Sequence, residues 1–340
     1  MTHTVPAPVA KAAPAFGLVL VALGIVYVVW GSTYLAIRIV VEQAPPLTSM
    51  GLRYSTAALV LGALLRLKGG VRRLRLTRRQ ALGTAFLGLM LPLLGNGMVS
   101  VAENLGAPSG VAALLIAVAP LMIVVFRFAE GDRPRPLSVA GVLLGFAGLA
   151  VLVLVGGGAV GGFPVGPALL VMFASTCWAF GSYVQPRLWL PRDVFVTTVY
   201  EMLFGGLLLL TVGRLSGESF TAAAYGARTW SALGYLVVFG SVVAFTSYVW
   251  LLANAPISFV ATYAYVNPVV AVFLGWLVLG EHVTWAVVAG GGIVVSAVAL
   301  VISAERPRRR TTKAGGGPVP AAVGGEPGPV DEVCAEDPAR

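Results

Sequence analysis

The sequence predicts an all-α integral membrane protein of ten transmembrane helices, arranged as a five-plus-five inverted repeat. Three observations predict it: long apolar stretches without charge, a fixed residue offset that aligns the two halves, and a one-sided distribution of basic residues.

Of the 340 residues, 58% are hydrophobic and 11% charged, roughly half the charge of a soluble domain. Residues 137–186 and 229–280 carry no Lys, Arg, Asp or Glu, and each is long enough for two spans of about 20 residues. Breakers fall where each pair would turn, at Gly156–Gly162 and at Asn254-Ala255-Pro256. The predicted spans are 14–37, 46–66, 80–101, 107–127, 137–155, 165–186, 194–213, 229–252, 257–279 and 283–303. Their continuous apolar runs are too long for barrel strands. The 42 glycines suit helices that approach closely.

Residues 1–13 are then a short N-terminal segment, 14–155 a first unit of helices 1–5 and 163–303 a second unit of helices 6–10. Residues 304–340, rich in Pro, Gly and charge, form a tail expected to be disordered. The first apolar run follows Lys11 but ends in polar-aromatic residues, so it reads as an uncleaved helix.

Basic residues set the orientation. With a cytoplasmic N-terminus, the inside segments hold 19 Lys and Arg, seven of them between Arg66 and Arg79, and the outside loops hold only Arg38, Arg214 and Arg228. Both termini are expected on the cytoplasmic side of a plasma or inner membrane. This asymmetry accounts for the basic pI without nucleic acid, and assigns the Arg306–Arg310 cluster to anionic lipid.

Ala107-Pro108 and Ala255-Pro256, Pro120 and Pro268, and Trp30 and Trp178 are each separated by 148 residues. Five spans per half is an odd number, so the second half enters the membrane from the opposite side. Such inverted repeats characterise many secondary transporters, with the binding site between the repeats.

The pattern Trp30-Gly31-Ser32-Thr33-Tyr34, with Pro45-Pro46 and Arg53, resembles the EamA family of the drug/metabolite transporter superfamily, in its YedA-like branch. So do Gly95-Asn96-Gly97, Ala102-Glu103, Pro108-Ser109-Gly110 and Thr262-Tyr263-Ala264-Tyr265-Val266-Asn267-Pro268 ending at Gly280-Glu281. The resemblance covers about residues 16–303 and implies two units around a central cavity and export of small metabolites, amino acids or drug-like solutes. The first unit departs from the pattern, with Gly131-Asp132 where a terminal Gly-Glu is expected.

Charges within spans are expensive, at about 2.5–3.5 kcal/mol each at a helix centre. Arg53 and Glu201 are the two expected deep in spans, again 148 residues apart (201 − 53). Inversion puts them at opposite depths, about 10 Å apart vertically. One charge per vestibule is favoured over a structural pair: Arg53 to grip an anionic group, Glu201 as the proton-coupling candidate. Trp30, Ser32, Thr33 and Tyr34, with Trp178, Ser182 and Tyr183, are path candidates against an interfacial aromatic girdle. Asn96 and Asn267 beside helix breakers are either path residues or partners for freed carbonyls. Tyr248, Tyr263 and Tyr265 either line a cavity or pack. Gly141, Gly145 and Gly148 make a smooth helix face for packing, within the chain or across a homodimer.

Enzymatic signals are missing. Gly156-x-Gly158-x-x-Gly161 lacks the strand-to-helix setting of a dinucleotide site, and no phosphate-binding loop supports ATP hydrolysis. Cys177, Cys334, His3 and His282 are too scattered for a metal or a disulfide framework. No cofactor is expected. The rival readings are a membrane enzyme acting on lipid-like substrates and a passive channel.

Overall fold

In the computed structural model the described residues are 16–155, 164–255, 260 and 262–304. The N-terminal segment, the glycine turn with its nucleotide-like pattern, the break at Pro256, and the tail with Arg306–Arg310 and Cys334 lie outside them. Among these residues the ten long helices are α1 (Phe16–Val41), α2 (Pro46–Gly69), α3 (Arg78–Asn104), α4 (Ser109–Ala129), α5 (Pro136–Val155), α6 (Val165–Arg187), α7 (Val194–Leu215), α8 (227–254), α9 (Tyr263–Leu279) and α10 (Trp285–Ala304). Among the described residues nine are long and apolar enough to cross a membrane, and α9 is a shorter apolar helix.

Local chemistry sets the helix starts. Thr77 and Gln80 form a reciprocal capping box at α3, and Asp193 caps α7 through the Phe195 amide at 3.0 Å. Proline opens α2 and α5, where its missing N–H costs nothing.

The packing pairs reproduce the repeat. α2 lies along α7, α4 against α9 and α5 along α10, while α1 packs on α9 and α8 as α6 packs on α4 and α3. Exchanging each helix with the one five later leaves this set unchanged, which is the signature of a two-fold relation. Gly141, Gly145 and Gly148 are covered by α10 and Leu121, a methyl at Gly148 meeting Ile293 at 2.9 Å. That glycine face is therefore used inside the chain.

α3 and α8 change winding midway, to i→i+5 over Leu89–Gly97 and Leu236–Val243. The two segments occupy corresponding places in the halves. Such wide turns leave backbone carbonyls available to other partners. α3 also runs past the expected end at residue 101 to Asn104, so Glu103 lies inside a spanning helix. Glu103 thus sits in the last turn of α3, one residue from its end; hydropathy stopped the predicted segment at the apolar limit, whereas backbone hydrogen bonding carried the helix further.

Because the helices alternate, α1 starts and α10 ends on one face, here the terminal face; the other is the far face.

Candidate functional site

Arg53 joins the two wide-wound segments. Its side chain, 5% exposed, projects from α2 between α3 and α8. Nε donates to Ser241 Oγ at 3.1 Å, and Nη1 to Asn96 Oδ1 at 3.3 Å and Met50 Sδ at 3.8 Å. The guanidinium carbon lies 4.8 Å from the centre of the Tyr54 ring. All these partners are neutral. A guanidinium has five donors, and Nη2, facing Gly240, has no acceptor among the described residues.

Beside it, first-half and second-half aromatics meet. The Trp30 ring centre lies 5.0 Å from Tyr248 and 5.2 Å from Tyr263, which are 5.7 Å from each other. Trp30 Nε1 donates to Gly240 O at 3.2 Å, a carbonyl of the wide-wound part of α8. The Ser32 hydroxyl bonds Val29 O at 2.9 Å and the Tyr235 hydroxyl at 2.6 Å, and Thr33 turns back to Trp30 O at 2.6 Å. Tyr34 packs half-buried against the core formed by α4, α5, α6 and α10.

Other candidates lie elsewhere. Trp178 packs over Gly95, and Ser182 bonds back to Trp178 O at 2.8 Å. Tyr183 sits near the terminal face, under the Arg187 guanidinium and against Phe126. The Asn267 amide, turned to satisfy its neighbours, donates to Tyr27 O at 3.2 Å and Tyr263 O at 3.3 Å. It is thus engaged in joining α9 to α1. Tyr265 packs at the edge of the core. Glu201, half-buried on α7, makes no ion pair with Arg53 among the described residues. An apolar crevice of about 520 Å³ between α4, α9 and α10 contains none of these residues.

Two matches to the EamA-like transporter family model cover residues 15–154 and 166–303. This chain belongs to the EamA-like transporter family. It is 41% identical over 268 residues to the uncharacterized inner membrane transporter YedA of Escherichia coli K12, covering 79% of this chain and 84% of that protein. The uncharacterized transporter YvbV of Bacillus subtilis is 25% identical, over 79% of this chain and 86% of that one. An S-adenosylmethionine/S-adenosylhomocysteine transporter of Chlamydia trachomatis serovar L2 is 24% identical, over 74% and 79%. A solved crystal structure superposes with a TM-score of 0.58 at 21% identity, over 86% of this chain and 100% of the other. That likeness concerns the fold. The protein is thus a multi-pass membrane protein of a transporter family.

In this EamA fold two acids at the far face share one construction that spacing alone did not reveal. α7 is followed by Gly217 (φ 83°) and α9 by Gly280 (φ 66°), left-handed positions that favour glycine. Glutamate follows each. Glu218 N bonds Gly213 O at 2.9 Å and Glu281 N bonds Gly275 O at 3.2 Å, folding each carboxylate over a glycine. The Glu218 carboxylate accepts from Leu47 N at 3.1 Å, Thr48 N at 2.7 Å and Thr48 Oγ1 at 2.6 Å, at the start of α2. The Glu281 carboxylate accepts from Ser109 N at 2.7 Å and Gly110 N at 3.2 Å, at the start of α4. Both second-half carboxylates occupy first-half helix N-termini, where free N–H groups and the helix dipole favour an anion. The repeated Gly-Glu was the signal available for Glu218. Ser241, a single hydroxyl in an apolar run, offered none.

Proposed function

We propose that this chain is a secondary transporter working by alternating access, with its solute path between the halves at Arg53, Asn96, Ser241, Trp30, Tyr248 and Tyr263. The observation that carries this reading is the buried Arg53 cation, held across the halves by neutral groups with no ion-pair partner and no acceptor at Nη2 among the described residues. An anionic or zwitterionic solute such as an amino acid would complete it, since guanidinium and carboxylate form paired, charge-assisted bonds. The aromatic cluster suits the apolar part of such a solute. S-adenosylmethionine, named for one relative, carries the same α-carboxylate. Export is the proposed direction. The basic residues beside the terminal face favour placing it in the cytoplasm, and the far face then points outward.

Counterflow in proteoliposomes tests this, with a radiolabelled amino-acid mixture and, separately, labelled S-adenosylmethionine. A carrier gives saturable exchange, whereas flux that never saturates would indicate a channel, and lipid turnover without flux an enzyme. Arg53→Lys should weaken exchange. Arg53→Gln should reduce it roughly tenfold to a hundredfold, the loss of one hydrogen bond to a charged group at about 1.5–3 kcal/mol. Normal exchange by folded Arg53→Gln would remove Arg53 from the path.

A further inference from the structure

Glu103 is fully buried near the far end of α3, and neither carboxylate oxygen has a hydrogen-bond partner. Arg38 bonds the Glu103 backbone carbonyl instead of its side chain, and also lies 3.9 Å from Glu42. The Ser109 hydroxyl, at the start of the next helix, is likewise buried without a partner. Among neighbouring elements, α1 carries Tyr34 and Arg38, α2 carries Arg53 and Tyr54, α6 carries Cys177, and Glu281 follows α9. Arg38 and Glu281 are close enough to act electrostatically on Glu103, and Glu103 acts in turn on Tyr34 of α1. A bare carboxylate without bonds is the least favourable occupant of such a site. A second negative charge there would also repel the Glu281 carboxylate, which ties the end of α9 to the start of α4.

We propose that Glu103 is a proton-carrying site of this transporter: it holds a proton while Glu281 is latched onto α4, and losing that proton to water between the halves releases the latch. The proposal takes its purpose from the carrier reading above. It assigns to Glu103 the role that its charge in a span suggested for Glu201. Glu201 is only half-buried and belongs to neither latch.

Hydrogen exchange at the Ser109 and Gly110 amides reads the latch directly and requires no transported solute. The full-length protein in proteoliposomes would be followed by mass spectrometry from mildly acidic to mildly alkaline pH, corrected for intrinsic exchange. Protection of these amides should fall about tenfold as pH rises, a shift of about 1.4 kcal/mol in latch equilibrium. Glu103→Gln should stay protected throughout, and Glu281→Gln should be unprotected throughout. If Glu103→Gln accumulates poorly, Glu103→Asp must still respond to pH, at a displaced midpoint. A pH response that survives in Glu103→Gln, vanishes in Glu201→Gln, or is missing from the unmutated protein overturns the proposal. Saturable counterflow alongside such a result leaves the carrier reading intact. A normal latch response without counterflow removes the carrier reading alone.

Discussion

The far and terminal faces carry related helix ends but close them differently. At the far face, Gly217-Glu218 and Gly280-Glu281 send carboxylates across to the N-termini of α2 and α4. At the terminal face, Gly70 (φ 71°) and Gly131 (φ 89°) likewise take positive φ after their helices, but Gly70, with ψ 173°, is extended where Gly280, with ψ 26°, is left-handed helical. Val71 follows the first, and Asp132 follows the second, where Arg127 holds it at 2.5 Å. There the start of α7 is capped by its own Asp193, which pairs with Arg73 at 2.7 Å, and Arg187 meets Glu130 at 2.7 Å with both side chains about half exposed. Anions bonded to backbone amides at half-buried helix N-termini resist water better than exposed ion pairs. The comparison teaches that a positive-φ glycine follows helices in both halves, and that the glutamate after it makes a latch on one face only.

Removing both latches should have the largest effect. In a Cys177→Ser, Cys334→Ser background, Ser100→Cys places a thiol at a site with 0% exposure on α3. Glu218→Gln with Glu281→Gln should raise its labelling by a polar thiol reagent about tenfold or more, since each latch contributes about 1.5–3 kcal/mol. Unchanged labelling would mean that the far face is closed by packing alone.

A smaller change comes from Gly275→Ala, whose methyl collides with the Glu281 carboxylate. Its loss in detergent melting temperature should match that of Glu281→Gln. The double variant should lose little more, because both changes break one contact. Additive losses would separate the glycine from the latch. The smallest effect is expected at the terminal face. Glu130→Gln should shift stability by less than about 1 kcal/mol, as exposed ion pairs do. A larger loss in the same melting assay would erase the contrast between the faces.

Much of the site was legible in part. Trp30, Tyr248, Tyr263, Arg53 and Asn96 stand out in sequence as polar or aromatic residues in apolar runs, and the fold brings them together. Trp178, Ser182 and Tyr183 stand out equally by repeat position, yet they face Gly95, their own backbone and the Arg187 edge. The repeat conserves where a residue lies along its helix. It does not conserve what the opposite half presents to it, because Asn96 and Ser241 have Ala244 and Leu93 as counterparts.

By itself the sequence determined the helical membrane fold, the two repeats and the polar residues that a bilayer penalises. Those follow from hydropathy, which is summed along the chain and needs no partner. Only the tertiary structure decided that α3 extends to include Glu103, that Arg53 rests on neutral groups, and that Glu218 and Glu281 reach helix starts more than 160 residues away in sequence. Whether a buried polar group is satisfied depends on atoms brought within about 3 Å by packing, and that distance is set by how the halves dock.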